Sequence, residues 1–330
     1  KGFSMFKVTG TGHYVPEKVI TNKDLEKIVD TTDQWIVERT GIRERRVVAD
    51  NELNSDMATK AALNALKKAN KSPKDIEVLI VGTSTPDYTL PAMAPIVQHK
   101  LGCDLIPAFD LNSVCSSFAY AFITGAGFIS AGYYKNCMII GSDLYSRILN
   151  WEDRTTCCIF GDGAGAVFIE RDPNSKGILS YNYGAKGEDA DLIRIPVGGT
   201  KYPITKKNHN YHKNDFYFQM AGTDVYEFTI TTIPNVVIDL LEKANLKPTE
   251  IDWVVLHQAN RRIIESVAKK TEIPFEKFII NIDRFGNTSS ASIPIALDEG
   301  VQLGKIKRKD KVMFIGFGGG LSWGGVIIEW

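Results

Sequence analysis

The chain has no excess of charge of either sign: 39 lysines and arginines balance 39 aspartates and glutamates over 330 residues. A broad nucleic-acid footprint needs a basic excess, so that class of partner is not expected. It has no Cys-x-x-Cys pair, and its five cysteines (103, 115, 137, 157 and 158) are odd in number and lie in apolar or strand-like contexts. Such usage suits a reducing cytoplasm rather than a disulfide framework, and it gives a structural zinc site no support. No apolar run is long enough to span a bilayer. The nearest, residues 118–131 (FAYAFITGAGFISA), is short and interrupted by Thr, Gly and Ser, so it predicts a buried core helix. No charged-then-apolar secretory pattern opens the chain, and Lys1–Ser4 ahead of Met5 read as an expression remnant. The glycine run Gly316–Gly320 is not followed by the Lys-Ser/Thr of a phosphate loop, nor does it make a GxGxxG early in a βαβ unit. A soluble cytoplasmic protein without a metal site is expected.

What the chain does contain is one unit written twice. Residues 68–82, KANKSPKDIEVLIVG, recur 175 positions later as KANLKPTEIDWVVLH, residues 243–257. Lys68/Lys243, Ala69/Ala244, Asn70/Asn245, Pro73/Pro248 and Ile76/Ile251 are identical, and the same offset pairs MIIG at 138–141 with MFIG at 313–316. Two units of about 160 residues fit ordinary domain sizes. The turn-rich DPNSKG at 172–177 is a natural connector, which predicts halves at 5–172 and 177–330. The second copy ends on His257 where the first has Gly82, as expected where function is grafted onto one copy.

Strands are predicted at 78–81, 106–111, 138–140, 166–169, 253–256, 278–280, 312–315 and 326–328. Helices are predicted at 56–70, 94–101, 116–132, 225–245, 261–271 and 290–303. This alternation predicts α/β architecture, and strands that are apolar throughout predict sheets covered on both faces. The polar stretch 198–215, GGTKYPITKKNHNYHKND, reads as a long surface loop, a lid or rim element at most. His209 and His212 within it are read as solvated loop residues rather than metal ligands.

Cys115 follows a predicted strand and directly precedes a long helix, where the dipole and free backbone N–H groups favour thiolate and predict a lowered pKa. The other four cysteines lack that position and are read as buried structural residues. His257 follows the strand 253–256 and leads into the next helix. Asn287 lies in RFGNTSSAS, residues 284–292, where Gly-Asn taken alone marks a turn. The glycines after residue 315 permit close backbone approach to a ligand, with N–H donors available for an oxyanion.

DLNSVCSSF (110–118), GDGAGAVFIE (161–170), HQANRRII (257–264), GNTSSAS (286–292), GFGGGLSWG (316–324) and TTDQWIVERTGIRERR (31–46) together resemble the β-ketoacyl-acyl carrier protein synthase III family. The match runs across essentially the whole chain. It implies the thiolase fold, two duplicated α/β halves in a five-layer αβαβα sandwich, usually as a homodimer. It also implies a decarboxylating Claisen condensation of an acyl-CoA primer with malonyl-acyl carrier protein. That reaction initiates fatty acid synthesis and uses no cofactor.

On this resemblance Cys115 takes the acyl group, while His257 and Asn287 hydrogen-bond the malonyl thioester carbonyl and stabilise the enolate formed as carbon dioxide leaves. The backbone N–H groups of Cys115 and Gly319 form a second oxyanion hole, and Phe317 flanks the malonyl pocket. Trp35 and Arg154 resemble the adenine-stacking pair and Arg39 the contact to coenzyme phosphates. Asn260 and Gly222 border the pantetheine arm. Arg262, Lys269 and Lys270 form a basic helix face for an acidic carrier protein, and Leu90 reaches the partner subunit's acyl pocket.

Related chemistries fit less well. A thiolase needs a second catalytic cysteine in its C-terminal half, and none follows Cys158. A hydroxymethylglutaryl-CoA synthase is expected to carry Glu where this chain has Ser84, and elongating synthases use His where it has Asn287. Two alternatives stay open: a specialised synthase supplying a quinolone or polyketide starter, and a non-catalytic partner subunit of the same fold. The chain departs from the family pattern at Ser116-Ser117 after the nucleophile and in the length of the 198–215 loop. Room for primers beyond acetyl is expected.

Overall fold

The computed structural model describes residues 5–205 and 210–330, so Lys1–Ser4 and His209 lie outside the described residues. The first sheet has five strands in the order Phe6–Tyr14, Gly163–Arg171, Asn136–Asp143, Leu79–Gly82, Ala108–Leu111. The second repeats that order as Ile178–Ala185, Ser322–Glu329, Lys311–Gly318, Trp253–Leu256. In its fifth position stands not the strand expected at 278–280 but a single parallel bridge, Val254 to Phe278. This stretch runs between a 3₁₀ turn at Phe275–Lys277 and a helical turn beginning at Ile282, and besides the bridge the Ile279 N–H donates to the Val254 carbonyl at 2.9 Å. Six strands among the described residues are absent from the expectations: Phe6–Tyr14, the short Lys18–Thr21 and Glu44–Val47 pair, Ile178–Ala185, and the two-residue pair Ile193–Arg194 and Gln219–Met220. In the first, glycines replace the expected apolar residues because a helix lies against the strand. A Cβ at Gly12 would stand 2.3 Å from the backbone nitrogen of Ala65.

Strand alternation sorts the core into layers. Val78, Ile80 and Ile139 of the first sheet and Val255, Val312 and Phe314 of the second face each other around helices Ser117–Ser130 and Ser292–Gln302. Phe122 meets Phe314 edge-on at 5.0 Å in this middle layer. Burial of each such ring contributes about 1.5–3 kcal/mol. Leu79, Val81, Met138 and Ile140 point the other way, onto helices Asn54–Ala69 and Met93–Leu101. Val254, Leu256, Met313 and Ile315 do the same against Gly222–Ala244 and Arg261–Thr271. The result is helix, sheet, helix, sheet, helix.

The repeated KAN…P segments now have a cause. Asn70 and Asn245 end their helices in the left-handed conformation (φ 56° and 54°), which Asn tolerates better than most residues. Pro73 and Pro248 then open matching 3₁₀ turns. The same offset reaches further, to two backbone elbows at the centre. Asn112 Oδ1 accepts from the Val114 N–H at 3.0 Å and Asn287 Oδ1 from the Ser289 N–H at 2.8 Å. Val114 and Ser289 both have positive φ, 49° and 52°. Each is followed by one 3₁₀ turn and then a middle-layer helix, Ser117–Ser130 or Ser292–Gln302. For a β-branched residue such as Val114 this conformation costs on the order of 1–3 kcal/mol, which the surrounding packing offsets. The glycines ending MIIG and MFIG admit the elbows. A Cβ at Gly141 would lie 2.3 Å from the Ser290 carbonyl oxygen, and one at Gly316 would lie 2.9 Å from Ser116 Cα.

Candidate active site

The first elbow carries Cys115, which is 6% exposed. Its thiol is pushed up to about 12, opposite to the expected lowering. Burial is the main cause and the charge of Asp143 adds to it, outweighing the Ser289 hydroxyl and the backbone amides of Cys115 and Gly319. The sulfur also sits in a 3₁₀ turn ahead of the helix, so the dipole argument describes its position only loosely. Ser289 Oγ lies 3.3 Å from Cys115 Sγ. Space beside the sulfur exists because residue 318 is glycine: a Cβ there would stand 2.9 Å from Sγ.

His257 is 1% exposed, and burial drops its pKa to about 3, so the ring is neutral at physiological pH. Its Nδ1 lies 2.6 Å from Ser292 Oγ, which also accepts from the Gln258 N–H at 3.3 Å. A hydroxyl that accepts the Gln258 N–H still has its own proton to give, and giving it to Nδ1 leaves Nε2 with its hydrogen as a donor. Asn287 is fixed in the same sense. Its Oδ1 is taken by the Ser289 N–H, which leaves the Nδ2 hydrogens to donate. Phe317 packs edge-on against the imidazole at 5.1 Å and 75°.

Cys115, His257, Asn287, Phe317 and Gly318 all line one cavity of about 40 Å³. Two neutral donors and a thiol thus share a largely apolar space, an arrangement that can stabilise negative charge developing on an oxygen. The rest of its wall was not foreseen: Tyr145, Phe160, Ile193, Phe218 and Met220 among others. Phe218 and Met220 follow directly on the expected rim loop, while Ser289 was within the quoted GNTSS and offered a signal. Tyr145 offered none, since it lies two residues beyond a strand end. A larger cavity, about 950 Å³, is elsewhere. Its charged lining pairs with itself, Lys60 with Glu52 at 2.7 Å and Lys100 with Asp56 at 2.6 Å.

The outer residues gather at one side. Arg39 and Arg154 guanidinium carbons stand 4.9 Å and 5.3 Å from the Trp35 ring centroid. Asn260 caps helix Arg261–Thr271 through the Arg262 N–H at 2.8 Å and donates to the Arg39 carbonyl at 2.9 Å. Its neighbour Ala259 already lines the cavity, as do Val225 and Thr229 on the helix that Gly222 begins. Arg262 lies over Tyr226 at 5.9 Å, Lys269 is exposed, and Lys270 donates to the Ile230 carbonyl at 2.7 Å. Gly319 is buried against Val114. Leu90, 85% exposed, is not brought to the cavity within this chain.

Residues 109–187 match the 3-oxoacyl-[acyl-carrier-protein (ACP)] synthase III family and residues 241–330 match its C-terminal part. A relative from Fusobacterium nucleatum, a beta-ketoacyl-[acyl-carrier-protein] synthase III, is 45% identical over 323 residues, 98% of each chain. The chain belongs to the β-ketoacyl-acyl carrier protein synthase III family. The Clostridioides difficile synthase III is 44% identical, again over 98% of each chain. The crystal structure of the Aquifex aeolicus synthase III superposes with a TM-score of 0.91 at 42% identity, covering 98% of this chain and 100% of that one. The family's thiolase-like fold is the layered arrangement described above, and membership makes the chain an acyltransferase-type condensing enzyme.

Proposed function

We propose that the cavity at Cys115 carries out the synthase III condensation in two half-reactions. The Cys115 sulfur attacks the thioester carbon of an acyl-CoA, the C–S bond to coenzyme A breaks, and the thiol proton leaves on coenzyme A. Malonyl-acyl carrier protein then loses carbon dioxide, and its enolate carbon attacks the acyl-Cys115 carbonyl. The C–S bond to Cys115 breaks, and 3-oxoacyl-acyl carrier protein departs as the sulfur regains a proton. Both half-reactions proceed on these substrates without a cofactor.

The observation that carries this reading is the pairing of Nε2–H of His257 with the Nδ2 hydrogens of Asn287 in the cavity of the thiol. A neutral imidazole and an amide donate to an enolate oxygen without taking its proton, which is the role assigned to them. Backbone N–H groups of Cys115 and Gly319 serve the tetrahedral intermediates, and apolar Phe317 disfavours the malonyl carboxylate and so promotes its loss. Trp35, Arg154 and Arg39 receive the nucleotide end of coenzyme A. Gly222 and Asn260 border its pantetheine arm, and Arg262, Lys269 and Lys270 receive the acidic carrier protein. A second copy completes the unit. Strand Ala108–Leu111 pairs on one side only, and Leu90 and Leu105 stand exposed near that edge of the chain. The division into halves at 5–172 and 177–330 and a cytoplasmic location belong to the same reading. Among the described residues no helix is long and apolar enough to cross a membrane.

A starter synthase of secondary metabolism and a non-catalytic subunit are the less favoured readings. Intact mass decides: acetyl-CoA adds one acetyl group to wild type, and malonyl-acyl carrier protein then removes it as 3-oxoacyl product. Wild type that never gains the acetyl group, or Cys115→Ser that gains it, overturns the assignment.

A further inference from the structure

Tyr145 is 1% exposed, and its ring stacks on Phe160 at 4.6 Å and 10°, with Phe218 edge-on to both at 5.3 Å and 5.0 Å. These three rings form the wall of the cavity beside Cys115. A tyrosine in an apolar wall needs partners for its hydroxyl, and this one has two: Ser84 Oγ at 3.2 Å and Ser289 Oγ at 3.4 Å. Ser84 is itself committed, because its hydroxyl donates to the Asp143 carboxylate at 3.1 Å. Its oxygen must then accept from Tyr145, and the single Ser289 proton is shared between the Tyr145 oxygen and the Cys115 sulfur. Burial holds the phenol protonated well above its ordinary range, so it remains a donor. Ser289 is the same hydroxyl that lies 3.3 Å from the nucleophilic sulfur.

We infer that Tyr145 restricts the acyl primer to short chains: its ring closes the pocket next to Cys115, and its hydroxyl, held between Ser84 and Ser289, keeps that ring from swinging aside. The inference rests on the condensing reaction proposed above and reverses the expectation of room for longer primers. Space supports it. The cavity that these rings wall, shared with His257 and Asn287, holds about 40 Å³, well below the roughly 150 Å³ that takes a benzene-sized guest. A longer chain would have to unstack three rings and leave a buried hydroxyl without its partners.

The test is a panel of acetyl-, propionyl-, butyryl- and hexanoyl-CoA, with acyl-Cys115 followed by intact mass and condensation followed with malonyl-acyl carrier protein. Wild type is expected to load acetyl at least roughly tenfold faster than hexanoyl, and Tyr145→Ala to raise the hexanoyl-to-acetyl ratio by about tenfold or more. Tyr145→Phe, which keeps the ring and frees it, is expected to raise the ratio by roughly two- to fivefold. A ratio within one variant does not depend on how much of it is folded. Wild type that loads hexanoyl as fast as acetyl, or a Tyr145→Ala ratio equal to that of wild type, overturns the inference while leaving the reaction standing. A Tyr145→Phe ratio unchanged from wild type overturns the hydroxyl lock. Wild type labelled by no acyl-CoA overturns the reaction itself, and the inference with it.

Discussion

The elbow at Asn112–Ser117 and the elbow at Asn287–Ser292 have the same Asx turn, the same positive-φ residue and the same 3₁₀ turn into a middle-layer helix. They differ in what surrounds them. Asn112 is exposed, whereas Asn287 is 5% exposed and faces the cavity. Cys115 at the first tip borders that cavity. Its mate Ser290 is turned away and donates to the Gly82 carbonyl at 2.9 Å. The residues ending the two central strands make the difference. Asp143 accepts the Ser290 N–H at 3.0 Å and occupies the second elbow, while Gly318, at the matching position, leaves the first one open. A duplicated backbone supplies two candidate sites, and a few side chains decide which one reacts.

Exchanging the tips is the severest test of that contrast. Cys115→Ser is expected to reduce acyl loading by roughly a thousandfold or more. Adding Ser290→Cys to it is expected to restore none of that loading, because position 290 faces the sheet rather than the cavity; intact mass reads both. Next in size, His257→Ala is expected to lower condensation by about a hundred- to a thousandfold while acyl loading persists, as for removal of one oxyanion donor. Loss of both half-reactions together would break the division of labour between the halves. Gly318→Ala is expected to slow loading by roughly tenfold or more, since its Cβ would stand 2.8 Å from Cys115 Cβ and something must shift. Acetyl transfer at the wild-type rate in that variant would show that the opening beside Cys115 is not needed.

The smallest expected effect is on stability against pH. His257 has a folded pKa of about 3 against an ordinary value of 6.5. Between those values the unfolded chain binds a proton that the folded one refuses. Stability therefore falls as pH drops below 6.5, by at most about 1.4 kcal/mol per pH unit from this group. Denaturant unfolding of wild type and His257→Gln at pH 7 and pH 5 measures it, with the variant expected to lose less. The mate of His257, Gly82, has no counterpart to titrate.

Much of this architecture was legible in the sequence. Trp253–Leu256 and Arg261–Thr271 stand where expected, and the MIIG and MFIG segments became the two central strands. Apolar alternation and Asn and Pro signals act over a few residues, so a linear reading can follow them. Cys115, His257 and Asn287 were legible as candidates from their places between strand and helix and from the family resemblance. Illegible were the raised pKa of Cys115, the Tyr145–Ser84–Ser289 contacts, and the shrinking of 278–280 to one bridge. Each depends on neighbours distant in the chain.

Sequence alone determined the doubled α/β plan, the positions of the elbows' key residues and the asymmetry between Gly82 and His257. Only the tertiary structure decided that Asn287 is buried while Asn112 is not, that His257 stays neutral and that the Cys115 thiol keeps its proton. The reason is physical. Backbone conformation is set by adjacent residues, but solvation and charge act through space, and packing the two halves together determines which groups lose water.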